Sequence, residues 1–94
     1  MVLNRDGMLS LAAYVLMSSY RIKVLSVLNE NEVMTPKRIA LECNVRPNHI
    51  SKVLTELKER GCVVCINPEV RKGKLYKITS LGKEILALSN EIKL

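Results

Sequence analysis

The stretch from Pro47 to Gly61 restricts this chain more than any other. Ile50, Val53, Leu54 and Leu57 fall at i, i+3, i+4 and i+7, one narrow stripe of an α-helix with every other side chain off it. Proline at the first position has no N–H to leave unpaired, and a glycine after the last turn takes the left-handed conformation that closes a helix. The spacing predicts a helix over 47–60 with a single buried side. Two short runs follow it, Cys62–Ile66, rich in β-branched residues, and Leu75–Thr79, which alternates. Between them lies 67–74, with one proline, one glycine and three basic side chains, which reads as the loop of a β-hairpin. A helix that buries one stripe and runs into a hairpin needs further helices to cover it.

Those helices are legible upstream and downstream. Ser18 or Ser19 offers an N-cap for a helix from about Tyr20 to Asn29, with Tyr20, Val24, Val27 and Leu28 toward the core and Arg21, Lys23 and Ser26 away. Thr35-Pro36 is an N-cap followed by proline at the first helical position, opening a short helix to about Glu42 whose core side is Ile39, Ala40 and Cys43. Cys43-Asn44-Val45-Arg46 is a tight turn. Nearly every position from Met8 to Met17 is apolar, which on a helix means burial on all sides. A last helix, capped by Thr79 or Ser80, sets Leu81, Ile85, Leu88 and Ile92 on one face. Trp and Phe are absent and the aromatics are Tyr14, Tyr20 and Tyr76, so the core of these 94 residues is aliphatic. Few rings also argue against a single-strand binder that stacks bases on aromatic platforms.

The formal net charge is +6, and it is not spread evenly. Residues 1–36 are neutral and residues 84–94 carry −1, whereas residues 37–83 hold eleven basic side chains against Glu42, Glu56, Glu59 and Glu69, a net of +7. One half of the fold therefore presents a surface suited to a polyanion, although an ordinary basic surface would give the same total.

The order helix, short helix, tight turn, helix, hairpin, helix is that of a winged helix-turn-helix. Tyr20–Leu25, Thr35–Ala40, His49–Leu57 and Leu75–Glu84 resemble the corresponding segments of small archaeal transcriptional regulators of MarR-like and ArsR-like winged-helix type, over roughly residues 18–88. The most specific parts are the helix-turn-helix pattern ending in Glu59-Arg60-Gly61 and the Tyr-x-Ile-Thr-x-x-Gly-Lys run at 76–83. In one place the chain departs from that pattern: Arg46 stands at the N-cap of helix 47–60, where the family commonly has Ser or Thr. Arginine cannot accept the orphan N–H groups there, so the helix start is expected to fray or to lean on Asn44. The fold class expected is mainly α with a small β-hairpin, a winged helix-turn-helix with extra N-terminal and C-terminal helices. A single domain is expected over 1–94, divided into an N-terminal helix 8–17, a core with wing 18–79 and a C-terminal helix 80–93.

Helical geometry selects the residues that would touch DNA. Opposite the apolar stripe point Asn48, Ser51, Lys52 and Thr55, with His49 on the flank. Asn48 can pair bidentately with adenine, Lys52 can reach guanine acceptors or phosphate, and the two hydroxyls can serve base or backbone. Glu56 and Glu59 lie toward the far end of the helix, away from phosphate. Arg71, Lys72 and Lys74 in the wing, and Lys37 and Arg38 at the start of the short helix, are candidate backbone contacts, with Lys23 and Arg46 second to them.

The two terminal helices exceed what a three-helix winged domain needs to cover itself. A two-fold homodimer through Leu9, Leu11, Tyr14, Val15, Ile85, Leu88 and Ile92 would use the surplus, and wrapping of the monomer core is the alternative. The expected partner is double-stranded DNA; no cofactor, metal or membrane partner is expected, and whether a small-molecule effector binds is not readable. Two other functions stay open, a winged-helix protein-interaction module and an effector- or redox-gated sensor. Cys62-x-x-Cys65 looks like half a zinc site, but residues three apart on a strand point to opposite faces. An odd number of cysteines makes a disulfide framework a poor reading and fits a reducing cytoplasm. The 8–17 stretch is half the length of a membrane span, and Asp6 beside it argues against a secretory leader. With one histidine, no Gly-rich phosphate loop and singly scattered acids, an enzyme is not expected.

Overall fold

The computed structural model of the chain describes residues 3–92. Its elements are α1 (Arg5–Leu16), α2 (Ser19–Glu30), α3 (Pro36–Cys43), α4 (Pro47–Glu59), β1 (Val63–Cys65), β2 (Tyr76–Ile78) and α5 (Ser80–Glu91). The chain is mainly α with a small antiparallel hairpin, and α3, the turn and α4 with the hairpin behind them form a winged helix-turn-helix. Four helices start at a side-chain oxygen that accepts an orphan N–H. Asn4 takes that of Gly7 at 2.7 Å, Ser18 that of Arg21 at 3.4 Å, Thr35 that of Arg38 at 3.2 Å and Thr79 that of Gly82 at 3.0 Å. The fifth, α4, has Arg46 at its N-cap and no capping side chain. Asn44 does not support it: its backbone is left-handed (φ 55°) and its N–H closes α3 on the carbonyls of Ala40 and Leu41.

The stripe of α4 meets the other helices in the core. Ile50, Val53, Leu54 and Leu57 are buried together with Val24, Leu25 and Leu28 of α2 and Ile39, Ala40 and Cys43 of α3. Each fully buried aliphatic side chain contributes about 1.5–3 kcal/mol. The axis of α1 bends by 105° from that of α2, which turns α1 back to pack against α5. No single described helix is long and apolar enough to cross a membrane.

The structure corrects several expectations. Asn4 starts α1 at Arg5, three residues before the apolar run, and only Ala12 and Val15 on that helix are fully buried. Burial all round is therefore replaced by one inner line and a half-covered flank. On α5 the buried line is Gly82, Ile85, Leu86 and Ser89, while Leu81, Leu88 and Ile92 lie on its half-buried flank. Gly82 causes the rotation: a Cβ there would overlap the Cys62 carbonyl and the Ile78 side chain, so α5 can approach the start of β1 only on its glycine. The buried Ser89 hydroxyl donates to the Ile85 carbonyl at 2.7 Å, so no polar group is stranded. The expected end of that helix at position 93 lies outside the described residues.

The strands are shorter than their sequence runs, three residues each, paired Val63 with Ile78, Val64 with Lys77 and Cys65 with Tyr76. Met34 adds a bridge to Tyr76, with N–H···O distances of 3.0 and 2.8 Å, and so serves as a third, minimal strand. On α2 two neighbours exchange the roles expected of them. Tyr20 is 37 % exposed, whereas Arg21 turns inward with its side chain 14 % exposed.

Candidate nucleic-acid interface

With its core side taken, α4 leaves Asn48, His49, Ser51, Lys52 and Thr55 exposed, so the structure brings all five expected base-reading residues onto the outer half of one helix. Two of them have partners. The Thr55 hydroxyl donates to the Ser51 carbonyl at 3.0 Å, one turn back. Its proton is thus engaged, and toward a base edge Thr55 offers lone pairs and a methyl group. The His49 ring lies 5.3 Å from that of Tyr20, tilted by 47°, so α2 holds the imidazole at the side of the helix. At the uncapped start, the N–H groups of His49 and Ile50 both turn to the Arg46 carbonyl, at 3.0 and 3.2 Å. Arg46 itself is exposed, as are Lys37 and Arg38 at the start of α3. Arg38 meets Glu42 at 3.8 Å, an exposed i,i+4 pair worth at most about 0.5 kcal/mol and readily exchanged for a phosphate. Beside these residues runs a groove of about 500 Å³, lined by Lys37, Ala40, Leu41, Asn44, Val45, Arg46 and Pro47.

The helix packs against β1, the strand that leads into the wing. One side chain organises the wing loop. Asn67 Oδ1 accepts the Leu75 N–H at 2.7 Å and its amide donates to the Gly73 carbonyl at 3.1 Å. Gly73 sits at φ 74°, in the left-handed region that a larger side chain resists, with open space around it. Arg71 and Lys72 project from this loop and are exposed. Lys74 differs from expectation: it is half-buried and its ammonium donates to the Pro68 carbonyl at 2.9 Å, closing the loop across its base. It stiffens the wing that carries the exposed Arg71 and Lys72.

Between α1, α2 and the end of α4 lies a cluster that sequence reasoning missed. The guanidinium carbons of Arg21 and Arg60 each lie 3.7 Å from the Tyr14 ring centroid. Two guanidinium groups can share that distance only on opposite faces. Arg21 also donates through Nη1 to the Tyr14 carbonyl at 2.7 Å and through Nε to Glu56 Oε1 at 3.4 Å. The apolar periodicity of α2 gave no signal for this, because a polar residue off the stripe reads as solvated. The only hint was an arginine three residues beyond the N-cap Ser18, close to the end of the preceding helix.

The residues expected at a dimer interface separate by burial. Val15 and Ile85 are 0 % exposed and belong to the chain's own core, which removes them from any surface open to a second copy. The Tyr14 ring is covered on both faces within the chain. Leu9 is exposed, and Leu11, Leu88 and Ile92 are half-buried. A cleft of about 410 Å³, lined by Leu3, Gly7, Ser10, Leu11, Tyr14 and Arg60, opens beside α1.

All three cysteines are free and buried. Burial pushes the Cys62 thiol up to about 11, outweighing the opposing Arg60 charge. Cys43 is also raised, by burial first and by Glu42, with Lys23 acting the other way. Neither is the thiolate that oxidation chemistry needs at neutral pH. Among the described residues no three His, Cys, Asp or Glu side chains are grouped to hold a metal ion.

No protein-family model matches the sequence, and no curated protein sequence does. Solved structures do. The MarR family transcription regulator SP03579 superposes with a TM-score of 0.72 at 19 % identity, over 93 % of this chain and 60 % of its own. Wild-type MarR of E. coli in its apo form gives a TM-score of 0.72 at 18 % identity, over 98 % of this chain and 78 % of its own. The antimony-specific transcriptional repressor AntR gives 0.68 at 18 %, over 97 % of this chain and 86 % of its own. At such identities the likeness is one of fold, and that fold is the winged helix of MarR-family regulators. This chain spans less than two thirds of the length of SP03579 and of two other matching structures, 62 % of one and 64 % of the other.

Proposed function

We propose that this chain is a sequence-specific double-stranded DNA-binding transcriptional regulator of the cytoplasm, a single winged-helix domain acting as a homodimer. The observation that carries the reading is the outer face of α4. Asn48, Ser51, Lys52 and Thr55 stand exposed opposite a fully buried stripe, on a helix whose start is flanked by the cations Lys37, Arg38 and Arg46. An α-helix of this width fits the major groove, where amide, ammonium and hydroxyl groups distinguish base pairs. Arg71 and Lys72 on the stiffened wing would grip the sugar-phosphate backbone and supply affinity without sequence preference. Leu9, Leu11, Leu88 and Ile92 leave apolar surface on α1 and α5, two helices that pack on each other, and this is the patch offered to a second copy. A two-fold pair would read half-sites about 34–36 Å apart, or a multiple of that.

Titration of a labelled duplex at several salt concentrations tests the reading. Each neutralised phosphate adds about −0.9 to the slope of log affinity against log salt, so several contacts give a steep negative slope. A slope near zero would overturn the proposal.

A further inference from the structure

We infer that Tyr14, gripped between Arg21 and Arg60, is a positioning residue that sets how α4 is presented to DNA; the inference rests on the DNA-reading function proposed above. The ring belongs to α1, one guanidinium to α2, and the other to Arg60, the C-cap of α4. Arg21 reaches α4 a second time through Glu56, one turn before Arg60. The end of α4 is thus tied to α1 at two successive turns, through one aromatic ring.

Two cations facing each other across a ring repel. The arrangement holds because each meets a negative π-face, and because the Glu56 carboxylate offsets one of them. Arg60 has no carboxylate within ion-pair distance among the described residues, so the ring is its partner. Such contacts are directional, whereas the apolar stripe of α4 is held by packing that tolerates small rotations and tilts. Three directional contacts run from side chains of residues 47–60 to other described elements: Glu56 to Arg21, Arg60 to the Tyr14 ring, and His49 to Tyr20. All go to α1 or α2, and two of them meet at Tyr14. The base-reading residues lie at the other end of the same rigid helix. A small tilt admitted at Arg60 is therefore carried to Asn48 and Lys52, where hydrogen bonds to base edges lose strength steeply with misalignment. Contacts from the wing to phosphate do not depend on that tilt. Loss of the ring should cost discrimination between sequences and spare non-specific affinity.

The test compares wild type, Tyr14→Phe, Tyr14→Leu and Arg60→Lys on two duplexes, one selected from random sequence by the wild type and one scrambled, at several salt concentrations. Measurements are made well below each variant's unfolding midpoint. Tyr14→Phe keeps the ring, and no hydrogen bond of the hydroxyl is present among the described residues, so it should match wild type. Tyr14→Leu removes the ring; Arg60→Lys keeps the charge at an exposed site but loses the planar stack. Each should lower affinity for the selected duplex on the order of tenfold, the size of one good base contact. Affinity for the scrambled duplex and the salt slope should stay unchanged. If Tyr14→Leu does not fold, Arg60→Lys decides, since it leaves the core untouched. Wild-type discrimination in both variants, equal weakening on both duplexes, or a Phe variant as impaired as Leu would overturn the inference. A wild type that fails to discriminate would overturn the DNA-reading function and the inference with it.

Discussion

Thr79 and Gly82 show how much a single side chain decides here. The Thr79 hydroxyl accepts the Gly82 N–H and donates to the Gly61 carbonyl at 2.6 Å, joining the end of α4, the wing and the start of α5. Thr79→Ala should cost about 1–2 kcal/mol of stability in urea unfolding while Thr79→Ser stays near wild type. Gly82→Ala must push a methyl group into the Cys62 carbonyl and should cost about 3 kcal/mol, the upper range of overpacking. Cys62 sets a pH dependence. Its folded value of about 11 exceeds the ordinary 9.0, so the neutral thiol favours the fold. That contribution is complete below pH 9 and is lost as pH rises toward 11, at about 1.4 kcal/mol per pH unit. Urea midpoints at pH 8 and pH 10 should differ more for wild type than for Cys62→Ala; equal differences would contradict the assignment. The Tyr-x-Ile-Thr-x-x-Gly run was visible in the sequence as a pattern, but only the approach of α5 to Cys62 explains its glycine. Arg21 was misplaced outright, because periodicity separates apolar from polar residues and is blind to a guanidinium that stacks on a ring.

Among the elements, α4 was the most legible, since its stripe, its proline start and its missing cap all follow from local rules. The missing cap has a consequence of its own. Arg46→Ser would supply an acceptor for the first-turn N–H groups and should raise stability by about 1 kcal/mol. It would also remove a cation, so duplex affinity at low salt should fall even as the thermal midpoint rises. A drop in both would mean that Arg46 stabilises the helix in a way its geometry does not show. The face of α5 was less legible. Leu81, Ile85, Leu88 and Ile92 form a good helical stripe, yet the buried line runs one step round through Gly82 and Ser89. A tertiary contact chose between two adjacent stripes, which a pattern of apolar residues cannot do when a glycine and a serine form part of the core line. The third strand was invisible for a similar reason, because a single bridge at Met34 leaves no alternation to read.

At the scale of the whole molecule, the net +7 of residues 37–83 comes from α3, Arg46 in the turn, Arg60 at the end of α4, the hairpin and Lys83, with Lys52 and Lys58 of α4 balanced by Glu56 and Glu59, while residues 1–36, which carry α1 and α2, are neutral. This division of labour predicts that substitutions will separate into two classes. Asn48→Ala or Lys52→Ala should shift base preference at one position by about 1–3 kcal/mol, whereas Arg71→Ala should weaken all sequences alike and reduce the salt slope by about 1. Leu9→Glu, on the exposed part of the apolar patch, should leave the fold intact and convert the proposed dimer to a monomer in sedimentation. Whether the outer face of α4 meets DNA is decided by amide chemical-shift mapping of the labelled protein with a selected duplex. The largest shifts should fall at Asn48, His49, Ser51, Lys52 and Thr55, with smaller ones at Arg71 and Lys72 and none along α5. Shifts centred on α1 and α5, with α4 unmoved, would contradict that contact.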